Sequence, residues 1–261
     1  MISIGSAQID AWIAAFIFPL ARILGFIATA PLWSAVGTPR RTRLILGLAI
    51  TVAITPSLPP MPTVQPASLP GLWILAQQML IGIGMGFATK IIFTAFDMAG
   101  EFISAQMGLG FATFYDPLSS SQTPVITEFI NLVALLLFLS LNGHLLYLAT
   151  LAQSFSAIPV SATPVGAGSW LNLVELASKI FSAGLLLSLP VMAALMITNV
   201  ALAVLTRAAP QLNLFALGFP LTLMGGFVAL AISLNYLAIP LQGIFEVGLE
   251  SMLGFVAPAK P

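Results

Sequence analysis

The chain has 261 residues, of which 59% are hydrophobic and only 6% are charged. Soluble domains carry about 25% charged residues, so this composition excludes a water-soluble globule and indicates an integral membrane protein that contacts lipid. Eight basic residues balance eight acidic ones, which gives no sign of a nucleic-acid partner, and the absence of cysteine excludes disulfides and thiolate metal sites.

The first apolar run, residues 12–33, is interrupted by Pro19 and Arg22. Neither a basic region nor a small-residue cleavage site accompanies it, so we expect a retained first span rather than a cleaved leader. A short loop follows that carries the chain's basic cluster, Arg40, Arg41 and Arg43. By the positive-inside rule this loop faces the cytoplasm and the N-terminus lies outside.

A second, shorter run covers residues 44–58 and leads into a proline-rich stretch that ends at Pro70, which we interpret as an extended external loop. The third run, residues 72–96, contains Gly82 and Gly86 in a GxxxG spacing. Small residues let membrane helices approach each other closely, so this spacing favours tight packing against another helix.

Three charged residues then follow at helical spacing: Lys90, Asp97 and Glu101. Their separations of seven and four residues place them on one helical face. Charges at membrane depth usually face a cavity or a partner, so one interpretation is a polar stripe at a vestibule or an assembly contact. An ordinary cluster at the headgroup level fits the pattern equally well.

The next segment, residues 98–114, is too polar and too short for a simple crossing. Its end combines flexible glycines, bulky aromatics and an Asp-Pro pair: Gly108, Gly110, Phe111, Phe114, Tyr115, Asp116 and Pro117. Irregular backbone in a membrane protein is tolerated where it is buried in protein or lines a water-filled cavity. The segment therefore predicts a constriction in a conduit, with a simple interhelical loop as the alternative.

A fifth run, residues 125–151, precedes a second loop at 158–169 that is rich in Pro, Gly, Ser and Thr. The sixth, residues 171–205, would be about 53 Å long as a helix, well beyond a hydrocarbon core of about 30 Å. We expect it to kink at Pro190, tilt strongly or extend out of the bilayer. The single histidine, His144, cannot build a metal site alone.

The last part of the chain is predicted to be a turn followed by an interrupted span. The turn residues are Arg207, Pro210, Gln211, Gly218 and Pro220. The final apolar run, 213–239, is cut by the last two of these, and a weaker segment at 241–256 is expected on the membrane interface or against a partner. No catalytic motif appears anywhere, so we expect no enzymatic activity and no cofactor.

Several pieces of the sequence resemble the FliR family of the flagellar type III export apparatus. The most specific pieces are GEFISAQMGLGFATFYDP (100–117) and RAAPQLNLFALGFPLTL (207–223). Two others are FPLARILGFIATAPLW (18–33) and QQMLIGIGMGF (77–87). The matching pieces occur in the expected order along nearly the whole chain.

The resemblance implies an all-α, polytopic integral membrane protein of kinked helical hairpins, with a FliP-like first part (1–165) and a FliQ-like second part (166–261). It implies a subunit of the flagellar export gate in the bacterial inner membrane, at the basal body. The implied partners are FliP-like, FliQ-like and FlhB-like subunits and the unfolded proteins that are exported.

The resemblance also places the family's channel plug on Gly108, Gly110, Phe111, Phe114, Tyr115, Asp116 and Pro117. Two alternatives stay open at this point. One is a gate subunit of a virulence-type injectisome. The other is a stand-alone secondary transporter, for which Arg22 and Lys179 are the ionisable candidates in the apolar core.

Overall fold

The computed structural model describes residues 6–34, 38–110, 124–209 and 214–256, and all regular structure in these ranges is helical. The helices are α1 (Ser6–Thr29), α2 (Pro31–Ser34), α3 (Arg40–Ile54), α4 (Leu69–Gln106), α5 (Val125–Ser140), α6 (Gly143–Ala157), α7 (Ala167–Ala208) and α8 (Leu214–Val256). A 3₁₀ turn, Thr55–Ser57, extends α3. The predicted all-α class is confirmed.

Four helical segments are long and apolar enough to cross a membrane: Gln8–Thr29, Leu69–Gln106, Ala167–Ala208 and Gly218–Val256. The pair α5 and α6 qualifies as a fifth span if it is counted together, although its two helices are bent by 67°. Length and composition therefore confirm the prediction of a polytopic membrane protein.

The basic cluster lies at the start of α3 and not in a loop, which corrects the prediction. Arg40, Arg41 and Arg43 all fall in the first turn of this helix, and the first two are exposed. The helix begins directly after Pro39, whose carbonyl accepts the Arg43 N–H at 3.3 Å. Proline has no N–H to donate and a fixed φ, so it favours a helix start at the next residue.

Helix α4 joins two runs that were predicted to be separate, residues 72–96 and 98–114. It is continuous for 38 residues, about 57 Å. Asp97 and Glu101 lie inside it because neither is a helix breaker. Of its most apolar 18-residue stretch, 67% is buried, against 28% for α7 and 17% for α8. Helix α4 is therefore the most enclosed of these three long helices.

The prediction of one run at 125–151 is wrong, because the chain bends sharply at Asn142. This residue has a left-handed backbone conformation, with φ at 55°, and separates α5 from α6. Asparagine tolerates this region better than most residues. The overlong helix predicted at 171–205 is confirmed, since α7 runs for 42 residues and includes Pro190.

Helix α8 passes without interruption through the predicted breaks. Gly218 and Pro220 lie in its first two turns and not in a turn region, and Pro240 lies further inside the same helix. Proline removes a backbone hydrogen bond, but membrane helices tolerate it because neighbouring groups satisfy the freed carbonyl. The predicted separate segment at 241–256 is the C-terminal end of α8.

The chain divides into two compact units. The first unit takes in residues 1–91, 142–177 and 246–261, and the second takes in residues 92–141 and 178–245. Helices α4, α7 and α8 each contribute to both units.

Candidate functional site

In the first unit, α1 and α4 pack backbone against backbone. A side-chain Cβ at Gly82 would collide with the carbonyl of Arg22, and one at Gly25 would lie 2.5 Å from the carbonyl oxygen of Met79. Backbone atoms cannot move aside as a flexible side chain can, so both positions require glycine. The close packing predicted from the GxxxG spacing is confirmed.

Arg22 lies at this contact and is fully buried. Its Nε donates to Oε1 of Gln78 at 2.8 Å, its Nη1 donates to Oγ of Ser154 at 3.0 Å, and its Nη2 donates to the Ile158 carbonyl at 2.8 Å. Nη2 also donates to the Gln78 oxygen. The guanidinium lies 4.1 Å from the centre of the Phe155 ring. One side chain thus ties together α1, α4, α6 and the start of the loop after α6.

Among the described residues, every group that contacts the guanidinium is uncharged. A buried charge is tolerated when its donors are satisfied, and here carbonyl, amide and hydroxyl oxygens, together with a cation–π contact, supply that compensation. We name this set of residues the arginine network. An arginine inside an apolar run was one signal of this network, but nothing in the sequence identified the partners of Arg22.

In the second unit, four phenylalanines from three helices form one cluster. Phe93 and Phe96 come from α4, Phe138 from α5 and Phe245 from α8, with ring centroids 5.2 to 5.7 Å apart. Tilted and edge-to-face arrangements at these distances are favourable for aromatic rings. We name this set the phenylalanine cluster.

The three residues of the predicted polar stripe differ: Asp97 makes a partly buried contact, and the other two charges are exposed. The amide of Asn131 on α5 donates to Oδ1 of Asp97, so Asp97 joins α4 to α5. One turn further along, a Cβ at Gly100 would collide with the backbone of Thr127. Lys90 and Glu101 are exposed on α4. Asp97 therefore joins two helices, whereas Lys90 and Glu101 face outward.

The end of α4 has the geometry of a Schellman motif. Gly108 has φ at 80°, its N–H donates to the Ala105 carbonyl at 3.1 Å, and the Leu109 N–H donates to the Ser104 carbonyl at 3.0 Å. These two bonds satisfy carbonyls that the helix end leaves free. A Cβ at Gly110, by contrast, would meet no atom within 4 Å.

Comparisons with known proteins bear on this architecture. A family model described as "Bacterial export proteins, family 1" matches residues 13–247. The chain belongs to this family of bacterial export proteins. It is 43% identical over 231 residues to the flagellar biosynthetic protein FliR of Escherichia coli (strain K12), which covers 88% of each chain.

Two further relatives carry the same name. The chain is 40% identical over 234 residues to FliR of Pectobacterium carotovorum, covering 90% of this chain and 89% of the relative. It is 28% identical over 247 residues to FliR of Bacillus subtilis (strain 168), covering 93% and 95%. The similarity to this export family therefore extends along nearly the full length of both partners in each comparison.

The structure describes only some of the predicted site residues of this export-family chain. Gly108 and Gly110 lie in the turn that follows α4, whereas the other predicted plug residues lie outside the described residues: Phe111, Phe114, Tyr115, Asp116 and Pro117. Arg207 lies in the last turn of α7, and Pro210 and Gln211 also lie outside the described residues. In the part of the chain that the structure describes, no three His, Asp or Glu side chains are grouped to hold a metal ion.

Proposed function

We propose that this protein is a subunit of the flagellar type III protein export gate in the bacterial inner membrane, at the flagellar basal body. The observation that carries the proposal is the 43% identity with a flagellar biosynthetic protein along 88% of both chains. In this role the protein helps to form and close the channel for unfolded flagellar proteins, and it performs no chemistry of its own.

The length of the exposed apolar surface supports a role inside a protein assembly. On α7, exposed apolar side chains extend from Leu171 to Val204, a rise of about 50 Å at 1.5 Å per residue. A hydrocarbon core of about 30 Å would cover that length only at a tilt above about 50°, outside the usual range of membrane helices. Lipid alone is therefore a poor match for this surface.

We propose that apolar helices of FliP-like and FliQ-like subunits cover the part of this surface that lipid does not, with an FlhB-like subunit beside them. Helix α8 favours the same partners, since its exposed apolar residues extend from Phe219 to Leu253. The division of the chain into a FliP-like part (1–165) and a FliQ-like part (166–261) belongs to this proposal. Lys90 and Glu101 are our candidates for polar assembly contacts.

The proposed plug is the segment that begins at Gly108 and ends at Pro117. Gly108 turns the chain out of α4 in a conformation that other residues adopt only at a cost. In our proposal the rings of Phe111, Phe114 and Tyr115 then occlude the conduit at rest, as hydrophobic constrictions close other pores.

The two alternatives have less support. The relatives are named as flagellar proteins, which favours the flagellar branch over a virulence-type injectisome. A secondary transporter requires an ionisable site that a solute reaches. Arg22 is fully buried and already hydrogen-bonded to neighbouring helices, so it is not open to a solute. Lys179 is exposed on α7 and is not part of a site inside the apolar core.

The plug is tested by deleting residues 110–116 in cells that assemble the complete gate. We expect higher ion leakage across the membrane, measured with a potential-sensitive dye, together with an intact complex. A control that changes Ser119, Ser120 and Ser121 to alanine lies in the same segment but outside the proposed plug, so it should not raise leakage. Unchanged leakage in an assembled gate with the deletion contradicts the plug.

A further inference from the structure

The start of α3 carries a patch of positive charge. Arg40 and Arg41 are exposed, and Nη2 of Arg43 donates to the Ser34 carbonyl at 3.2 Å, which ties the start of α3 to the end of α2. We name the three arginines the basic patch. No aspartate or glutamate occurs in residues 11–96, so this part of the sequence supplies no carboxylate to balance them. Guanidinium groups match carboxylate and phosphate oxygens, and the basic patch therefore favours an anion from elsewhere.

The face of α3 that points away from α1 is apolar next to the basic patch. Gly47 is buried on the other side, where a Cβ would lie 2.5 Å from Cδ2 of Leu24 on α1. Arg41, Ile45 and Val52 are exposed, and their separations of four and seven residues place them on one helical face. The rise from Arg41 to Val52 is about 17 Å, close to half of a hydrocarbon core of about 30 Å. This face has a positive end and an apolar length that matches one lipid leaflet.

Helix α1, against which α3 packs, has the length of a simple membrane span. Trp12 is exposed near its start, and Trp33 follows its end, with ring centroids of Trp33 and Phe26 5.4 Å apart. The helix rises about 26 Å from Trp12 to Thr29, and Trp33 lies one helical turn further along the chain. Tryptophan is enriched at both membrane–water interfaces. The edge that α1 and α3 form therefore matches a bilayer in length, whereas the longer apolar surface of α7 does not.

The order of groups along α3 is also the order of groups in a phospholipid. The phosphate of a phospholipid lies at the bilayer surface with acyl chains below it, and α3 has guanidinium groups at one end and apolar side chains beyond them. Two adjacent arginines, Arg40 and Arg41, favour a headgroup with net negative charge, because a zwitterionic headgroup carries its own cation beside the phosphate. An acidic protein segment would balance the arginines as well, but the bilayer-length edge beside them favours lipid.

We propose that the edge formed by α1 and α3 faces the lipid bilayer, and that Arg40 and Arg41 bind the phosphate groups of anionic phospholipids there. Arg43 supports this contact through its bond to Ser34, which fixes the helix start that carries the other two arginines. The inference goes beyond the proposed function, because it adds a lipid partner to the protein partners of the gate and does not depend on the plug.

The proposal is tested by counting bound lipids on the full-length protein, purified in mild detergent, by native mass spectrometry. The protein is titrated with phosphatidylglycerol, which is anionic, or with phosphatidylcholine, which is zwitterionic, both with the same acyl chains. We expect several-fold more bound phosphatidylglycerol. Arg40→Gln combined with Arg41→Gln should remove this preference and leave phosphatidylcholine binding unchanged. Equal binding of the two lipids by the unchanged protein, or an undiminished preference in the double variant, would overturn the proposal.

A matched control removes two exposed positive charges from another helix. Lys179→Gln combined with Arg207→Gln changes the net charge by the same amount on α7, and it should keep the preference for phosphatidylglycerol. A loss equal to that of the arginine pair on α3 would show that the preference follows net charge and would overturn the basic patch as its source. Ile45→Gln combined with Val52→Gln should lower the binding of both lipids, because polar side chains then face the acyl chains. Unchanged binding of both would contradict a lipid-facing edge.

The same titration on the protein expressed with the other gate subunits decides between lipid and protein as the occupant. If the assembled complex keeps the preference and loses it on substitution of Arg40 and Arg41, lipid occupies the basic patch there. If these substitutions no longer change lipid binding once the complex is assembled, a subunit covers the basic patch and the proposal is wrong. Failure of the complex to assemble contradicts the proposed function alone, since the lipid titration of the single chain still gives its own answer.

Discussion

The arginine network of the first unit and the phenylalanine cluster of the second unit join helices in different ways. Arg22 holds α1, α4 and α6 through directional hydrogen bonds from its guanidinium nitrogens to defined oxygen acceptors. Phe93, Phe96, Phe138 and Phe245 hold α4, α5 and α8 through the shape and area of apolar rings.

The two kinds of contact differ in their sensitivity to substitution. When one member of a buried polar network is removed, its partners lose their hydrogen bonds and cannot form new ones with water, because they are buried. When one ring of an apolar cluster is exchanged for another apolar side chain, contact area is lost but no polar group is left without a partner. The first unit should therefore respond more strongly than the second to a single substitution.

The largest effect should come from Arg22→Leu. The substitution removes the donors that satisfy Gln78, Ser154 and the Ile158 carbonyl, so we expect a loss of stability on the order of 3 kcal/mol. The thermal midpoint of the purified gate complex in detergent measures this loss. Arg41→Gln is the control, because Arg41 is exposed on α3. If the thermal midpoint of Arg22→Leu falls no further than that of Arg41→Gln, the first unit is not especially sensitive to loss of the arginine network.

Gly82→Ala tests the helix contact on which the arginine network depends. The added methyl group would press on the Arg22 carbonyl, which is backbone and cannot rotate away, so we expect a loss of about 1–3 kcal/mol. Gly254→Ala in the same unit is the matched control, since its Cβ would meet only the Asn172 amide at 3.9 Å. Equal thermal midpoints for the two variants would contradict the close contact.

Phe138→Leu should have a smaller effect than Arg22→Leu. It keeps an apolar side chain in the phenylalanine cluster but removes ring contacts with Phe93 and Phe245, which are worth about 0.5–1.5 kcal/mol beyond area. The same thermal measurement applies. If this variant proves less stable than Arg22→Leu, the proposed order of the two regions is reversed.

The smallest effect should come from Trp73→Phe at the edge of the first unit. The indole N–H donates to the Ala162 carbonyl at 3.1 Å, but the side chain is 54% exposed and the Gln77 amide donates to the same oxygen. We expect a loss of about 0.5 kcal/mol. A loss as large as that of Gly82→Ala would mean that the arginine network is not the main polar contact of this unit.

Composition and run lengths were sufficient to predict the all-α class, the polytopic membrane character and the overlong α7. The predicted breaks at Gly218 and Pro220 were wrong because an apolar environment makes unbonded backbone costly, so a membrane helix continues through residues that often end a helix in water. The opposite error occurred at Asn142, where a run of apolar residues concealed a left-handed backbone position.

The candidate sites were less accessible from sequence. Gln78, Ser154 and Ile158 lie 56 to 136 positions from Arg22 along the chain, and no local pattern connects them to it. Only the folded arrangement brings these side chains together.

Native mass spectrometry can show directly whether this chain is a subunit of an export gate. The tagged chain is purified in mild detergent after co-expression with FliP-like and FliQ-like subunits from its own genome. We expect one copy of this chain in a large complex with several copies of both smaller proteins, because α7 and α8 need protein cover along part of their length. A stable monomer or homodimer without these subunits would contradict the proposed membership in an export gate.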